Sequence, residues 1–191
     1  GEDFYTVDFE HESSDDPRWL APLFGGSWYG NRRFEDERLL VYETAPLAEE
    51  LEVTGYPVIH LKVRSTHPDG AFFVYLENVD PNGRVKYVTE GILRGIHRQV
   101  TEDPASWDRP TPFHSFRSED ARPMVPGEVT ELSFGLQPTS VLFRQGHRIR
   151  IAIAGHDGSA FRRIPTDGVP ELRVQRNALY PSFIELPVIK N

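Results

Sequence analysis

The segment from residue 143 to residue 154 constrains the fold of this chain more than any other part of its sequence. It contains Gly146, which can adopt the backbone angles that a tight turn needs. After the turn, apolar residues alternate with arginines or alanines. The apolar positions are Ile149, Ile151 and Ile153, and the arginines are Arg148 and Arg150. Because successive side chains of a strand point to opposite faces, this alternation predicts a half-buried β-strand.

Six further segments have apolar residues that alternate or form short continuous runs. They are residues 4–9, 39–42, 58–63, 71–79, 84–90 and 128–136. The run 71–79 is almost entirely apolar, which is typical of a central strand covered on both faces. The sequence Asp-Pro-Asn-Gly at 80–83 predicts a turn that joins this run to 84–90 as a β-hairpin. In the last segment, Leu132, Phe134 and Leu136 are expected to point inwards.

Proline and glycine interrupt most helical patterns in this chain. The 191 residues include 16 prolines and 15 glycines, which are scattered along the sequence. Residues 102–126 are polar, proline-rich and without a period, so they are expected to form a long surface loop. Many short strands between turns predict an all-β fold with few short helices, a jelly-roll β-sandwich of the galactose-binding-like type. We expect residues 1–191 to form a single β-sandwich domain.

Composition excludes several classes of protein. The net charge of −8 argues against a nucleic-acid partner. The sequence has no long apolar run, so neither a transmembrane helix nor a signal peptide is predicted. It has no cysteine, which excludes disulfides, thiolate catalysis and cysteine-bound zinc. These features favour a soluble, cytoplasmic protein without a membrane partner, and they leave a homo-oligomer open.

The chain lacks the motif that exposes the nucleophile of an α/β-hydrolase. That elbow reads Gly-x-Ser-x-Gly, because small flanking residues permit its strained turn. Residues 25–29 come closest, but Tyr29 occupies the place of the second glycine. Residues 158–161 also lack a second glycine. We therefore predict no catalytic residue in this chain.

No metal or cofactor site is predicted either. None of the seven histidines forms His-x-x-x-His or His-Glu-x-x-His. His147 and His156 could lie near one another across the strand that they bracket. The simpler interpretation is that each bonds a backbone carbonyl or a carboxylate at a sheet end. The acidic clusters at 15–16, 35–37 and 49–50 are interpreted as solvated surface charge.

Aromatic residues provide the best candidates for a binding site. Trp19, Trp28, Trp107 and Tyr29 could form a platform for a sugar ring, or they could pack in a core or interface. Residues 24–30 place bulky aromatics among glycines, outside any predicted strand. This arrangement is typical of a loop that presents rings to a ligand, although plain packing explains it equally well. Trp28 and Tyr29 are therefore the candidate substrate-pocket residues.

Short motifs follow one another in a distinctive order along most of the chain. They include Asp-Pro at 16–17, Gly-Gly at 25–26, Leu-Leu-Val-Tyr-Glu-Thr at 39–44, Glu-Asn-Val-Asp-Pro-Asn-Gly at 77–83, Glu-Gly-Ile-Leu-Arg at 90–94 and Gly-His-Arg-Ile-Arg at 146–150. Each motif alone is weak, but the ordered set is specific. It resembles the C-terminal domain of the cocaine esterase and X-Pro dipeptidyl-peptidase group of serine hydrolases.

This resemblance implies a non-catalytic jelly-roll domain that packs against an α/β-hydrolase domain of the same protein. The hydrolase domain would precede Gly1 and would hold the whole Ser-His-Asp triad, acting on a small ester or peptide substrate. In the family, a loop just after Gly-Gly supplies apolar residues to the substrate pocket, and those positions correspond to Trp28 and Tyr29. Arg148 and Arg150 would pair with surplus carboxylates or with the hydrolase domain.

One departure from the family leaves the substrate open. After the arginine-rich strand the family commonly has Ser-Ser-x-Phe-Pro, whereas residues 154–161 read Ala-Gly-His-Asp-Gly-Ser-Ala-Phe. The choice between an acyl esterase and an X-Pro dipeptidyl-peptidase is therefore open. Two other functions also remain: an independent carbohydrate-binding module with an exposed aromatic platform, and a structural or oligomerisation module.

Overall fold

The computed structural model describes residues 1–12, 30–102 and 110–189. Within these ranges it consists of short antiparallel strands and single-turn 3-10 helices. The strands are β1 (Glu2–Thr6), β2 (Leu40–Glu43), β3 (Leu51–Gly55), β4 (Val58–Ser65), β5 (Ala71–Val79), β6 (Val85–Arg94), β7 (Thr130–Gly135), β8 (Thr139–Phe143), β9 (Arg148–Ala154), β10 (Glu171–Gln175) and β11 (Phe183–Glu185). The 3-10 helices are Glu35–Arg38, Gly95–His97 and Ser118–Asp120. The predicted all-β sandwich is confirmed.

The strands form two main sheets and one separate pair. In the first sheet, β1 pairs with β10, and β10 pairs with β4; β7 lies along the opposite edge of β4. β10 and β11 follow one another along the same edge of β4. The second sheet has the order β2-β9-β5-β6, and β3 pairs with β8. The predicted hairpin is present as β5 and β6, which pair directly.

The core lies between the two sheets and uses the alternation seen in the sequence. Ile149, Ile151 and Ile153 of β9 are all buried there. The facing sheet contributes alternate residues of β4 and β7, which are Ile59, Leu61, Val63, Leu132 and Phe134. The side chains between them in the sequence, such as Lys62, point outwards and are less buried. The prediction from periodicity is therefore confirmed for both sheets.

Strand β5 is covered on both faces, as its continuous apolar run predicts. One face contributes Phe72, Val74 and Leu76 to the core between the sheets. The other contributes Phe73 and Tyr75 to a second apolar cluster. Beyond the strand, the ring of Phe161 packs edge-on against Phe73, with ring centroids 5.0 Å apart. Chain outside the sheets therefore covers the outer face of the second sheet.

Close backbone approach joins the two sheets where β6 meets β7. A Cβ atom on Gly91 of β6 would lie 2.6 Å from Leu136 Cδ2 and 2.7 Å from the carbonyl oxygen of Gly135. Because backbone cannot give way as a flexible side chain can, only glycine fits at position 91. This edge of the sandwich is thereby closed, and residues 111–116 run across it.

The suggestion that His147 and His156 lie close together is wrong. They sit at opposite ends of β9, and an extended strand of that length holds them more than roughly 20 Å apart. His147 Nδ1 lies 2.8 Å from the side-chain oxygen of Asn78. His156 packs against the ring of Phe9, at 5.2 Å between centroids.

Candidate functional site

The predicted pocket residues Trp28 and Tyr29 fall in residues 13–29, outside the described part of the chain. The described residues on either side of that segment are firmly placed. The carbonyl oxygen of His11 accepts a hydrogen bond from the Gly158 amide at 2.8 Å. The side chain of Asn31 accepts one from the Val85 amide at 2.9 Å. Both ends of the segment therefore attach to folded parts of the domain.

A buried charged network begins immediately after the second attachment point. The Arg32 side chain is 1% exposed, and its Nε donates a hydrogen bond of 2.5 Å to Glu77, which is fully buried. The guanidinium also lies 4.2 Å from the centre of the Tyr75 ring. Asp36, one helical turn along, places Oδ1 3.8 Å from Arg32. Arg32 and its carboxyl partner are thus buried beside the second apolar cluster.

Asp36 corrects the interpretation of residues 35–37 as solvated surface charge. Glu37 is exposed, but Asp36 is only 3% exposed. Asp36 turns inwards within the helix Glu35–Arg38: its amide donates to the Arg32 carbonyl oxygen at 3.0 Å, and its carboxylate lies beside the side chains of Arg32 and Arg150. Adjacent acidic residues can therefore differ in burial, and the sequence alone does not show which of them is buried.

The arginines of β9 extend the network towards the surface. Arg150 Nη1 donates to Asp36 Oδ2 at 2.5 Å, and its Nε donates to Glu43 at 2.7 Å. Arg148 lies 3.2 Å from the other oxygen of Glu43. Both arginines therefore pair with carboxylates of this chain, so β9 acts as scaffold on both faces.

The carboxyl group of Glu77 holds its proton more tightly than an ordinary glutamate. Removal from water raises its pKa to about 8, and the neighbouring Asp36 carboxyl adds to the rise by charge and by a hydrogen bond. Arg32 opposes this rise by attraction to the ionised form. The two carboxyl groups lie between two arginines, Arg32 beside Glu77 and Arg150 beside Asp36.

A second polar group lies against the same outer face. Tyr75 donates its hydroxyl proton to Asp157 Oδ2 at 2.8 Å, and Ser159 donates to Asp157 Oδ1 at 2.6 Å. In a catalytic triad the serine bonds a histidine, which in turn bonds the aspartate. The direct bond from Ser159 to Asp157 is the arrangement of a structural turn. Burial lowers the pKa of the nearby His11 to about 4.

A hollow of about 520 Å³ lies at the β6–β7 edge. This volume is typical of small-molecule sites. Its wall includes Tyr56, Phe113 and Phe116. The Tyr56 side chain is 46% exposed and that of Phe116 is 61% exposed. Phe116 has a φ of +55°, a conformation that bulky residues rarely adopt. This strained residue presents its ring to solvent.

His114 fixes the segment that carries Phe116. Its Nδ1 lies 3.1 Å from the carbonyl oxygen of Gln99, and its Nε2 lies 3.0 Å from that of Ser133. Both ring nitrogens therefore contact the backbone of flanking elements. The hollow is a fixed feature of the sandwich edge, and sequence analysis missed it because its residues come from four separate segments.

The outer face of the first sheet has a different character. It carries charged pairs, which include Arg173 with Glu2 and Lys62 with Glu131. It also exposes Phe4 and Phe183, whereas the exposed aromatic side chains Tyr56 and Phe116 line the hollow at the β6–β7 edge. Within the described ranges, no three histidine, aspartate or glutamate side chains are grouped so that they could hold a metal ion. No helix in those ranges is long and apolar enough to cross a membrane.

Comparison with known proteins gives a consistent result. The family model described as the X-Pro dipeptidyl-peptidase C-terminal non-catalytic domain matches residues 6–184. A Mycobacterium bovis protein assigned as a serine esterase is 48% identical over 192 residues, which cover 100% of this chain and 30% of that protein. Cocaine esterase from Rhodococcus sp. is 27% identical over 197 residues, covering 92% of this chain and 31% of that enzyme.

Solved structures share the fold. An α-amino acid ester hydrolase superposes with a TM-score of 0.74 at 22% identity, covering 99% of this chain and 33% of that one. An aminopeptidase from a marine sediment archaeon, Thaumarchaeota archaeon, superposes with a TM-score of 0.73 at 25% identity, covering 100% of this chain and 33% of that one. The chain thus spans about a third of the length of the proteins that it matches.

Proposed function

The chain belongs to the family of X-Pro dipeptidyl-peptidase C-terminal non-catalytic domains, and we propose that it docks on the catalytic domain of a serine hydrolase and helps to wall its substrate pocket. The chain spans only 30% of its 48%-identical relative, as an accessory domain does. That relative is assigned as a serine esterase, which favours a small ester over an X-Pro peptide as substrate. The parent protein would cleave this ester through an acyl-enzyme. Homo-oligomerisation and a cytoplasmic location stay predictions.

The aromatic hollow at the β6–β7 edge is the observation that supports docking. Large exposed aromatic side chains gathered in one hollow mark interaction surfaces, since their contact with water is unfavourable. Tyr56 and Phe116 line this hollow, and His114 ties the segment that carries Phe116 to β7. Aromatic residues of this kind are the usual anchors of a protein interface. We therefore assign this edge to the contact with the hydrolase domain of the same protein.

Serine substitutions at Tyr56 and Phe116 test the docking surface in the intact hydrolase. We expect each to weaken the domain interface by about 2 kcal/mol, the loss typical of an interface anchor. Calorimetry of the intact protein would then show one unfolding transition splitting into two. Phe183→Ser is the matched control, because Phe183 is also 46% exposed but lies on the outer face of the first sheet. Equal effects at all three positions would contradict this assignment.

Trp28 and Tyr29 are proposed to line the substrate pocket of the intact hydrolase. The proposal is supported by the family resemblance and by the fixed attachment of the chain on both sides of their segment. Trp28→Ala is expected to raise KM and to lower kcat/KM roughly tenfold or more, the effect of losing apolar contact with a substrate. Steady-state kinetics on a p-nitrophenyl ester would measure it.

Trp107→Ala is the matched control for this experiment, because it removes another tryptophan from a separate segment. Its kinetic constants should stay close to those of the unmodified hydrolase. An unchanged KM in Trp28→Ala would show that Trp28 does not line the substrate pocket. This result would not contradict the docking proposal, because the docking proposal depends on Tyr56 and Phe116.

A further inference from the structure

A mostly apolar cavity opens from the surface into the sandwich, apart from the hollow at the β6–β7 edge. Its volume is about 190 Å³. It sits between the sheets, where β2 and β9 face β4, β10 and β11. Six aliphatic side chains from four strands form its inner wall: Ile59, Leu61, Ile151, Ile153, Val174 and Ile184. Tyr42, Arg176, Ser182 and Phe183 complete the lining. Five of the aliphatic side chains are at most 9% exposed, so the cavity belongs to the core of the domain.

A gap in the first sheet explains why the core is incompletely filled here. β10 leaves the edge of β4 after Val174, and β11 joins the same edge only at Phe183. Between them the backbone amide of Lys62 has no strand partner on this side, and it donates to the Ser182 hydroxyl at 3.0 Å. No strand therefore supplies an inward side chain at this point of the described sheet. The cavity follows from the sheet topology.

The polar groups at the rim already bond one another. The Tyr42 hydroxyl donates to Asp3 Oδ2 at 2.8 Å, and Arg176 Nη2 donates to Asp3 Oδ1 at 2.8 Å. These bonds tie β1 of the first sheet to β2 of the second across the opening. Burial and the hydrogen bond to the Asp3 carboxylate raise the pKa of Tyr42, so its hydroxyl keeps donating. A guest with a charged head would have to break this contact.

The wall determines which guest the cavity accepts. A buried water needs about two to four polar partners, which an aliphatic wall does not provide. A cavity of about 150 Å³ lined by similar side chains stays dry and binds benzene. The cavity here is somewhat larger. We propose that it is a binding site for a small, neutral, apolar molecule, such as a single aromatic ring or a short alkyl chain.

Benzene is the probe for this site, with the 191-residue chain labelled at its isoleucine, leucine and valine methyl groups. We expect saturable shifts confined to the methyl groups of the wall, together with intermolecular NOEs from benzene to Ile151 and Ile153. At a tenfold excess over Kd, binding to the folded state should raise Tm by about 3–6 °C.

Two variants separate the cavity from other binding. Ile184→Phe, on the short edge strand β11, fills the cavity and should abolish both the shifts and the rise in Tm. Leu142→Phe on β8 is the matched control, since Leu142 is 45% exposed and lies away from the wall, and it should bind as the unmodified chain does.

Shifts scattered over surface methyl groups, or equal binding by the filled variant, would overturn the proposal. So would NOEs from water to the Ile151 and Ile153 methyl groups, because they would show a hydrated cavity. If Ile184→Phe fails to fold, the benzene NOEs in the unmodified chain decide the question. NOEs to Ile151 and Ile153 support the site, and their absence at saturating benzene overturns it.

Discussion

Glu77→Ala is expected to lower the free energy of unfolding by about 3–5 kcal/mol, because it leaves the buried Arg32 charge without its hydrogen-bond acceptor. Arg32 would keep its charge inside the domain without its nearest carboxylate, and Asp36 Oδ1 lies farther away at 3.8 Å. For a domain of this size, the loss corresponds to a fall in Tm of roughly 6–20 °C. Urea unfolding and calorimetry of the purified chain would measure both quantities.

Two further variants show which part of the interaction matters. Glu77→Gln keeps an oxygen that can accept the hydrogen bond from Arg32, so it should lose much less stability than the alanine variant. Glu43→Ala removes a carboxylate from the surface end of the same network, where an ion pair contributes at most about 1 kcal/mol. If Glu77→Ala is no more harmful than Glu43→Ala, the buried pair does not support the domain.

The strands that periodicity predicted are those that cross the core. β5 and β9 were identified because a long apolar run or a clean alternation extends over seven or more residues. β3, β8, β10 and β11 were missed. Each has five residues or fewer, and β11 has only three. So short a segment contains few repeats of the period-two pattern. Among the described strands of this length, β1 and β2 were predicted, with the shifted bounds 4–9 and 39–42.

The buried network could not be predicted, because its members are distant in the sequence. Arg32 meets Glu77 only when the chain preceding β2 folds over the outer face of β5. A charged residue is mostly exposed unless it finds a partner, so isolated charges in sequence are interpreted as solvated. One local signal did exist, since Arg32 and Asp36 are four residues apart. Sequence also gave no sign of the cavity, which arises from the gap between β10 and β11.

Acid is expected to destabilise the domain through His11. Its side chain is 1% exposed, and burial lowers its pKa from 6.5 to about 4, with Asp157 opposing and Arg32 contributing. Asp8 and Arg38 also act on it, in opposite directions. Between these two pH values the unfolded chain binds a proton at His11 that the folded chain does not. The contribution of His11 to stability is therefore complete above pH 6.5 and is lost as the pH falls towards 4.

Comparison with His11→Gln isolates this effect from other titrating groups. Glu77 acts in the opposite direction, because its raised pKa gives stability that is lost as the pH rises from about 4.5 to about 8. The difference in unfolding free energy between the two proteins removes that common contribution. Between pH 7 and pH 4, the unmodified chain should lose about 3 kcal/mol more of its unfolding free energy than His11→Gln does. Parallel profiles, or a His11 ring proton that titrates near pH 6.5 by NMR, would show that the folded domain does not exclude the imidazolium.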